Sequence, residues 1–513
     1  VPHKPSFKTY LHKEFALYDG AMGTLLAKET AARGISEEQS PDSIYLSHPE
    51  LIEEIHRLYL ENGATVIETN TFGSNPFKLR EHGLENKTTE INRIAVETGI
   101  NATQKHSRQS GKPSYVALSV GPSGYLISSN EPSLNKISKK ELFEGYCAQI
   151  EPAIEAGVDI ILIETGQDLL EVKTITEAAL HLREKHQSDK LFIQVQVTID
   201  ENNFMVLGSD IGAVLASLEP YPIDAMGINC STGPEEMEPA LAYLSKNSPF
   251  YLSCLPNAGL PQNREGKAVY ELTPSSFAGQ FVPIIKKYNI EIAGGCCGTT
   301  PAHIKELDSA LAHYKSGRNF GSIIPRISSQ FTSRQLNELK RPVIIGERLN
   351  VQGSKKTRKL LVNERYPELI DLAREQLSHD IFLLDICTAN NIVGQEDSLM
   401  EKLVYSIQRN VDASLVIDTT EEDIIQQVIP HIIGRGIINS IQLEGGKDKA
   451  QRILKIAEKY GFMVIALAID EQGMAYTAED KCRVAEKMIR LAEETGFRKD
   501  FLIFDPLVFS LAT

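Results

Sequence analysis

Cysteine is scarce in this chain: seven in 513 residues, an odd number. That excludes a disulfide framework and fits a reducing cytoplasm, where thiols serve metals or chemistry. No Cys-x-x-Cys pair is present, so the usual spacing of a structural zinc site is missing. Long Lys/Arg runs are absent too. Together with a formal net charge of -15, this argues against nucleic acid or an anionic membrane as partner. No apolar run approaches the ~18 residues of a membrane span. The opening Val1-Pro2-His3-Lys4 carries no signal-peptide pattern. It also lacks an initiator Met, so further residues are expected before Val1. With 24% charged and 42% hydrophobic residues the composition is that of a globular protein, and the length suits two to four domains.

What is present is a set of three cysteines. Cys230 stands alone in Gly227-Ile228-Asn229-Cys230, and Cys296 and Cys297 are adjacent in Gly294-Gly295-Cys296-Cys297-Gly298. Adjacent cysteines are poorly placed to bridge one another, but both can ligate one soft metal. Three thiolates with an open fourth position describe a catalytic zinc site. Zinc holds a thiol ionised near neutral pH, although a free thiol has a pKa near ~8.5. A fourth sulfur ligand stays electron-rich there, which suits alkyl transfer to a substrate thiol better than water activation. The competing reading is buried apolar cysteines, or a closed zinc site completed by a fourth residue. Cys147, mid-helix, and Cys254, inside a strand, are expected in the core; Cys482 lies on a helix.

Apolar runs at Phe15–Asp19, Thr65–Thr69, Tyr115–Val120, Asp159–Glu164, Leu191–Val197, Ala225–Asn229, Tyr251–Pro256 and Glu291–Gly294 read as eight strands. Amphipathic stretches separate them, among them Pro49–Asn62, Lys139–Ala156, Asp168–His186 and Ser275–Tyr288. Eight β/α units over residues 1–315 predict a (β/α)8 barrel. Polar or glycine-containing segments stand at the strand ends, where such barrels build active sites. The three cysteines follow the sixth and eighth strands, whose ends can converge. Residues 316–340 read as a linker. A second series over 341–513 has six strands, at Val343–Gly346, Ile381–Asp385, Leu415–Asp418, Ile437–Ile441, Val464–Ala468 and Leu502–Phe504. Its helices include Glu368–Leu377, Glu421–Ile433, Lys447–Tyr460 and Ala478–Glu494. Six units leave a parallel sheet with exposed edges. The expectation is an α/β chain with two TIM barrels in tandem, the second truncated at its C-terminal end.

Asp19-Gly20-Ala21-Met22-Gly23-Thr24, Glu68-Thr69-Asn70-Thr71-Phe72-Gly73 and the two cysteine segments resemble the homocysteine S-methyltransferase family over essentially all of residues 10–315. That family is a zinc-dependent (β/α)8 barrel and includes enzymes using betaine or S-methylmethionine. The resemblance implies that Cys230, Cys296 and Cys297 bind zinc and that homocysteine sulfur takes the fourth position. Glu164 is the candidate for the substrate ammonium. Asp19 shares that role or holds the first loop as a turn residue. Backbone N–H groups near Ala21, Met22 and Ser119 are candidates for the carboxylate. Asn229 and Asn257 orient the cysteine loops or are purely structural.

In the second series Asn350, Asp385, Asp418, Asn439 and Asp505 cap strand ends. Fixed carboxylates and amides suit the amidine-like edge of a flat heterocycle, such as a pterin or a guanine; caps and salt bridges are the competing reading. Gly346-Glu347-Arg348-Leu349-Asn350, followed by Gly353-Ser354, resembles the pterin-binding family and, within it, the folate barrels of cobalamin-dependent methionine synthases. That resemblance implies that Asp418, Asn439 and Asp505 hold the pterin ring and that Asn350 and Asp385 line the pocket. Cys387 departs from the Asp-Ile-Asn usual there, which removes a polar contact. The Asp-x-His-x-x-Gly signature of a cobalamin module is absent. Both barrels in this order imply methyl transfer from 5-methyltetrahydrofolate to homocysteine by way of cobalamin, carried by a module or protein outside this chain. The alternatives are a homocysteine methyltransferase using a small donor such as S-methylmethionine or betaine, and a non-catalytic zinc or folate scaffold.

Overall fold

Strands buried on both faces need apolar residues at every position, and the runs read from the sequence meet that need. In the computed structural model, which describes residues 4–35, 40–264, 267–389 and 396–508, they form parallel sheets. Two compact units result: Val1–Leu207 with Pro222–Ile323, and Gly208–Tyr221 with Ile324–Thr513.

The first unit contains β1 (Ala16–Leu17), β2 (Val66–Glu68), β3 (Tyr115–Val120), β4 (Ile160–Gly166), β5 (Phe192–Val197), β6 (Ala225–Asn229), β7 (Tyr251–Leu255) and β8 (Ile292–Ala293). Their order is β1-β8-β7-β6-β5-β4-β3-β2, every pairing parallel. A single parallel bridge between Tyr18 and Val66 brings the ends of this sheet together, so the barrel is nearly closed. β1 and β8 pair over only two residues, shorter than the runs that predicted them. Phe7, on a short helix capped by Ser6, joins the interior floor: its ring centroid lies 5.0 Å from Tyr115 and 4.9 Å from Phe192. The outer helices start on side-chain caps. Ser138 and Glu141 form a reciprocal capping box for Lys139–Ala156, and Asp168 accepts from Leu170 and Glu171 to start Leu169–Lys185. Cys254 is buried and Cys482 lies on a helix, both as expected, with Cys482 exposed; Cys147, expected in the core, is half-buried. Its helix shows it at the border of the buried stripe rather than within it.

The second unit contains β9 (Ile345–Asn350), β10 (Leu383–Cys387), β11 (Ser414–Asp418), β12 (Ile437–Ile441), β13 (Met463–Leu467) and β14 (Leu502–Asp505), parallel and in sequential order. This sheet is less closed than the first and has the character of a partial barrel. β9 runs farther than expected, to Asn350, through a register shift between Gly346 and Leu349. The expected helix Glu421–Ile433 ends at Val428 and tightens into a 3-10 turn, Ile429–His431, because Pro430 has no N–H for the helical ladder. Within the stretch read as a linker, Arg326–Ser328 and Ser333–Gln335 pair as an antiparallel hairpin. The segment Gly208–Tyr221 folds with this unit through a fully enclosed carboxylate. Glu219 lies 3.4 Å from Arg326 Nε and 2.8 Å from Arg435 Nη1. Among the described residues no helix is long and apolar enough to cross a membrane.

Candidate active site

Side chains alternate along a strand, so every second residue of a barrel strand points inward. The lower inward positions are apolar: Val66 on β2, Tyr115 and Ala117 on β3, Ile160 and Leu162 on β4, Phe192 on β5, Ala225 on β6. Two residues farther toward the C-terminal ends the same faces turn polar. They become Glu68, Ser119, Glu164 and Gln194 with Gln196; on β6 the polar residue comes four positions on, at Asn229, after Gly227. This polar layer lies at the end of the barrel where (β/α)8 active sites are built.

Both cysteine loops hang from one segment. β6 ends at Asn229 and the chain turns through positive φ at Cys230 (59°) and Ser231 (65°). The Cys230 N–H donates to Leu255 O at 3.1 Å, Cys296 N–H donates to Pro256 O at 2.8 Å, and Ala258 N–H donates to Cys297 O at 2.9 Å. β7 lies between β6 and β8, so the segment following it receives a cysteine loop from each neighbour. The result is three sulfurs within 4.8 Å of one another, none in a disulfide, with Cys230 and Cys297 3.8 Å apart. Two sulfurs ~2.3 Å from one tetrahedral zinc lie ~3.8 Å apart, so these residues fit that ion. Hydrogen bonds from Cys230 and then Cys296 hold the Cys297 thiol down at about 3, while Cys296 is pushed well above the thiol range by its bonds with Cys230 and Cys297 and by burial. Tyr270 adds a hydrogen bond to Cys297. Its ring leaves no room for a side chain at Gly298, where a Cβ would stand 2.4 Å from it and where φ is +80°. Neither Tyr270 nor its contact was legible in the sequence, because it follows an unanticipated hairpin of 262–264 with 267–269.

Glu164 is buried beside this cluster. It accepts from Ser119 Oγ and, at 2.9 Å, from Asn229 Nδ2. Burial raises its carboxyl to about 7 against the lowering effect of the Ser119 bond, and the Cys297 charge adds to the rise. Asn229 also donates to Thr165 Oγ1 at 2.9 Å and accepts from Thr165 N–H at 2.8 Å. It therefore ties the end of β4 to the residue before Cys230. Asp19, 1% exposed, accepts from Glu68 N–H at 3.1 Å through Oδ2. Its Oδ1 has no hydrogen-bond partner.

The remaining sequence candidates divide. The Ala21 N–H is donated to Thr299 Oγ1 (3.2 Å) and the Ser119 N–H to Thr69 Oγ1 (3.2 Å). Met22 opens the helix Met22–Arg33, which has no side-chain cap. First-turn N–H groups of such a helix are donors without intrahelical partners, suited to a carboxylate. The Asn257 N–H donates to Thr232 O, and its Oδ1 is buried without a partner.

In the second unit Asn350 Nδ2 donates to both Asp385 Oδ2 and Asp418 Oδ2, each at 2.9 Å. Asn439 hydrogen-bonds Asp385, and Cys387 hydrogen-bonds Asp418. Four neighbouring strand ends, β9 to β12, thus share one polar cluster. Burial lifts the Asp385 carboxyl to about 6. Asp505, at the end of edge strand β14, accepts from Leu507 N–H at 2.8 Å. Elsewhere Glu151, Glu155 and His186 also group their ligating atoms, but Glu151 already accepts from Lys185 and His186. A 530 Å³ cleft including Phe15, Thr65, Ser114 and Asp308 opens at the opposite, N-terminal ends of β1 to β3, away from the thiols.

Residues 346–513 match the family described as Pterin binding enzyme. The chain is 33% identical over 515 residues to the methionine synthase of Mycobacterium tuberculosis (strain ATCC 25618 / H37Rv), and 33% identical over 525 residues to that of Mycobacterium leprae (strain TN). Each comparison covers 96% of this chain and 41% of the relative, so the chain spans less than half the length of those proteins. Among solved structures, the metallated form of the homocysteine methyltransferase MmuM from Escherichia coli covers 60% of this chain and 99% of its own, with 25% identity and a TM-score of 0.49. Residues 16–311, more than half of the chain, match the family described as Homocysteine S-methyltransferase, and the protein belongs to that family.

Proposed function

We propose that the first unit methylates the sulfur of homocysteine at a zinc ion held by Cys230, Cys296 and Cys297. The observation that carries this reading is the convergence of three thiols at tetrahedral-ligand spacing beside a buried carboxylate. Zinc bound there would supply an acid for the substrate thiol, keeping it ionised near neutral pH. The chain's own groups do the rest. Glu164 and Asp19 accept from the substrate ammonium, with Ser119 and Asn229 fixing the Glu164 carboxylate. The open first turn at Met22, next to Ala21, receives the carboxylate. Burial of this layer excludes water, which favours attack by sulfur on carbon over hydrolysis of the donor. Two modules, 1–315 and 341–513, joined by 316–340 and working in the cytoplasm, complete the reading.

Two observations favour two donors. The family match is confined to residues 16–311, which supports a first unit that takes a methyl group directly from a small donor such as S-methylmethionine or betaine. The Asn350–Asp385–Asp418–Asn439 cluster, the pterin match and the methionine synthase relatives support 5-methyltetrahydrofolate as donor, with cobalamin on another module or protein as carrier. The test is methionine formation by the zinc-loaded chain from homocysteine with S-methylmethionine, betaine or free methylcobalamin. Product from methylcobalamin alone favours the folate route. Product from a small donor alone refutes it. No product from any donor, together with zinc coordination that homocysteine does not change, overturns both and leaves a scaffold.

A further inference from the structure

The polar layer of the barrel holds a further buried acid. Glu68 is the inward residue at the end of β2, two positions above Val66 of the apolar floor. Its Oε1 is buried and has no hydrogen-bond partner. Asp19 Oδ1, at the end of β1, is in the same state, as is Gln196 Oε1 on β5. The backbone of Glu68 is held against Asp19 by its own N–H, 3.1 Å from Oδ2. Glu164 is close enough for its charge to raise the carboxyls of both Glu68 and Asp19, after burial, which is the larger cause in each. Buried acceptors are normally satisfied. Carboxylates from the ends of β1, β2 and β4, two of them with an unpartnered oxygen and, among the described residues, none with a cationic side chain hydrogen-bonded to it, call for an occupant that brings donors and positive charge.

We propose that Glu68 is a third acceptor for the substrate ammonium, acting with Asp19 and Glu164. An α-ammonium presents three N–H donors in a tripod, and β1, β2 and β4 each contribute one carboxylate to meet it. This rests on the homocysteine reading above and adds a specificity to it. A thiol without an amino group leaves the three acids unneutralised, so the pocket selects an amino acid thiol over a simple mercapto acid. Glu68 is a binding residue here.

The experiment is titration calorimetry of the zinc-loaded protein with homocysteine and with 4-mercaptobutanoate, which is homocysteine without its amino group. Loss of a charge-assisted bond is worth about 10- to 100-fold in affinity. The nearly isosteric Glu68→Gln is expected to weaken homocysteine by that factor and to leave 4-mercaptobutanoate unchanged or tighter. Glu68→Ala, which tests the same charge without an amide in its place, is expected to show the same loss of discrimination. Equal weakening of both thiols would mean distortion of the site and overturns the proposal, as does no weakening of homocysteine. That last result in a protein that binds homocysteine normally sinks the Glu68 assignment alone. A wild-type protein that binds neither thiol sinks the homocysteine reading and this assignment with it.

Discussion

The Asn229 side chain joins the acid to the start of the thiol loop, so Asn229→Ala reports on how the site is held. The amide is fully buried and makes three bonds: to Glu164 Oε2 and Thr165 Oγ1 at 2.9 Å each, and from Thr165 N–H at 2.8 Å. A net contribution of about 1 kcal/mol for each neutral bond and about 1.5–3 for the one to a carboxylate sums to about 4 kcal/mol. Thr165 adds to the loss, since its backbone, held at φ 55°, keeps an unpaired N–H. The variant is therefore expected to lose about 3–5 kcal/mol in urea unfolding of the zinc-free protein. Release of the residue before Cys230 is expected to cost about 10- to 100-fold in zinc affinity, the usual effect of removing a group that orients a ligand. Competition against a chromophoric chelator measures it. Asn229→Asp restores an acceptor for Thr165 but sets a second carboxylate against Glu164, so it is expected to recover part of the stability and less of the homocysteine affinity. Zinc affinity within about 2-fold of wild type in Asn229→Ala, against that 10-fold lower bound, would refute the reasoning. The turn at Cys230 and its bond to Leu255 O would then suffice to place the sulfur.

Cys297→Ser is expected to abolish tight zinc retention and methionine formation while far-UV circular dichroism stays native; Cys147→Ser, on the half-buried helix face, is expected to change neither. Retention of one zinc per chain by Cys297→Ser in metal analysis would contradict the ligand set. The zinc-free protein is expected to lose stability as pH rises. Glu164 is raised to about 7 by burial, so between about pH 4.5 and 7 the unfolded chain has released a proton that the folded chain keeps, a term of about 3 kcal/mol. It is present below the unfolded pKa and lost as pH passes through the folded one. Glu164→Gln should flatten the pH profile of urea unfolding over that window, and a difference independent of pH would refute the assignment. In the second unit, Glu219→Gln leaves Arg326 and Arg435 buried without their carboxylate, which is expected to cost about 3–5 kcal/mol. Faster amide exchange over Ile437–Ile441 measures it, and unchanged exchange would show that the hydrogen bonds of Arg435 hold without the charge.

The strands were readable where burial on both faces writes an unbroken apolar run. Tyr115–Val120, Ala225–Asn229 and Ile437–Ile441 coincide with their predicted spans. Boundaries blurred where pairing ends before the apolar run does, as at Ala16–Leu17 and Ile292–Ala293, and where a register shift carries β9 on through polar Glu347 and Arg348. The site was readable to a similar depth. Cysteine chemistry and strand-end placement singled out Cys230, Cys296 and Cys297. Glu164 and Asn229 stood at strand ends as well, but their mutual bond did not follow from position. At Ser119 the sequence points to the N–H, but that N–H is donated to Thr69, and it is the hydroxyl that reaches Glu164.

By itself the sequence determined the period of the strands, the apolar floor with a polar layer above it, and the chemistry of three thiols, because each is a matter of residue type at short spacing. Only the tertiary structure decided which of these groups meet. Chain segments more than 60 residues apart reach hydrogen-bonding distance when β7 takes its place between β6 and β8, and the Leu255–Ala258 segment then draws both cysteine loops to one point. The near closure of β1 on β2 likewise places Asp19 against Glu68. Such proximity is a property of strand order and register, which no local run of residues encodes.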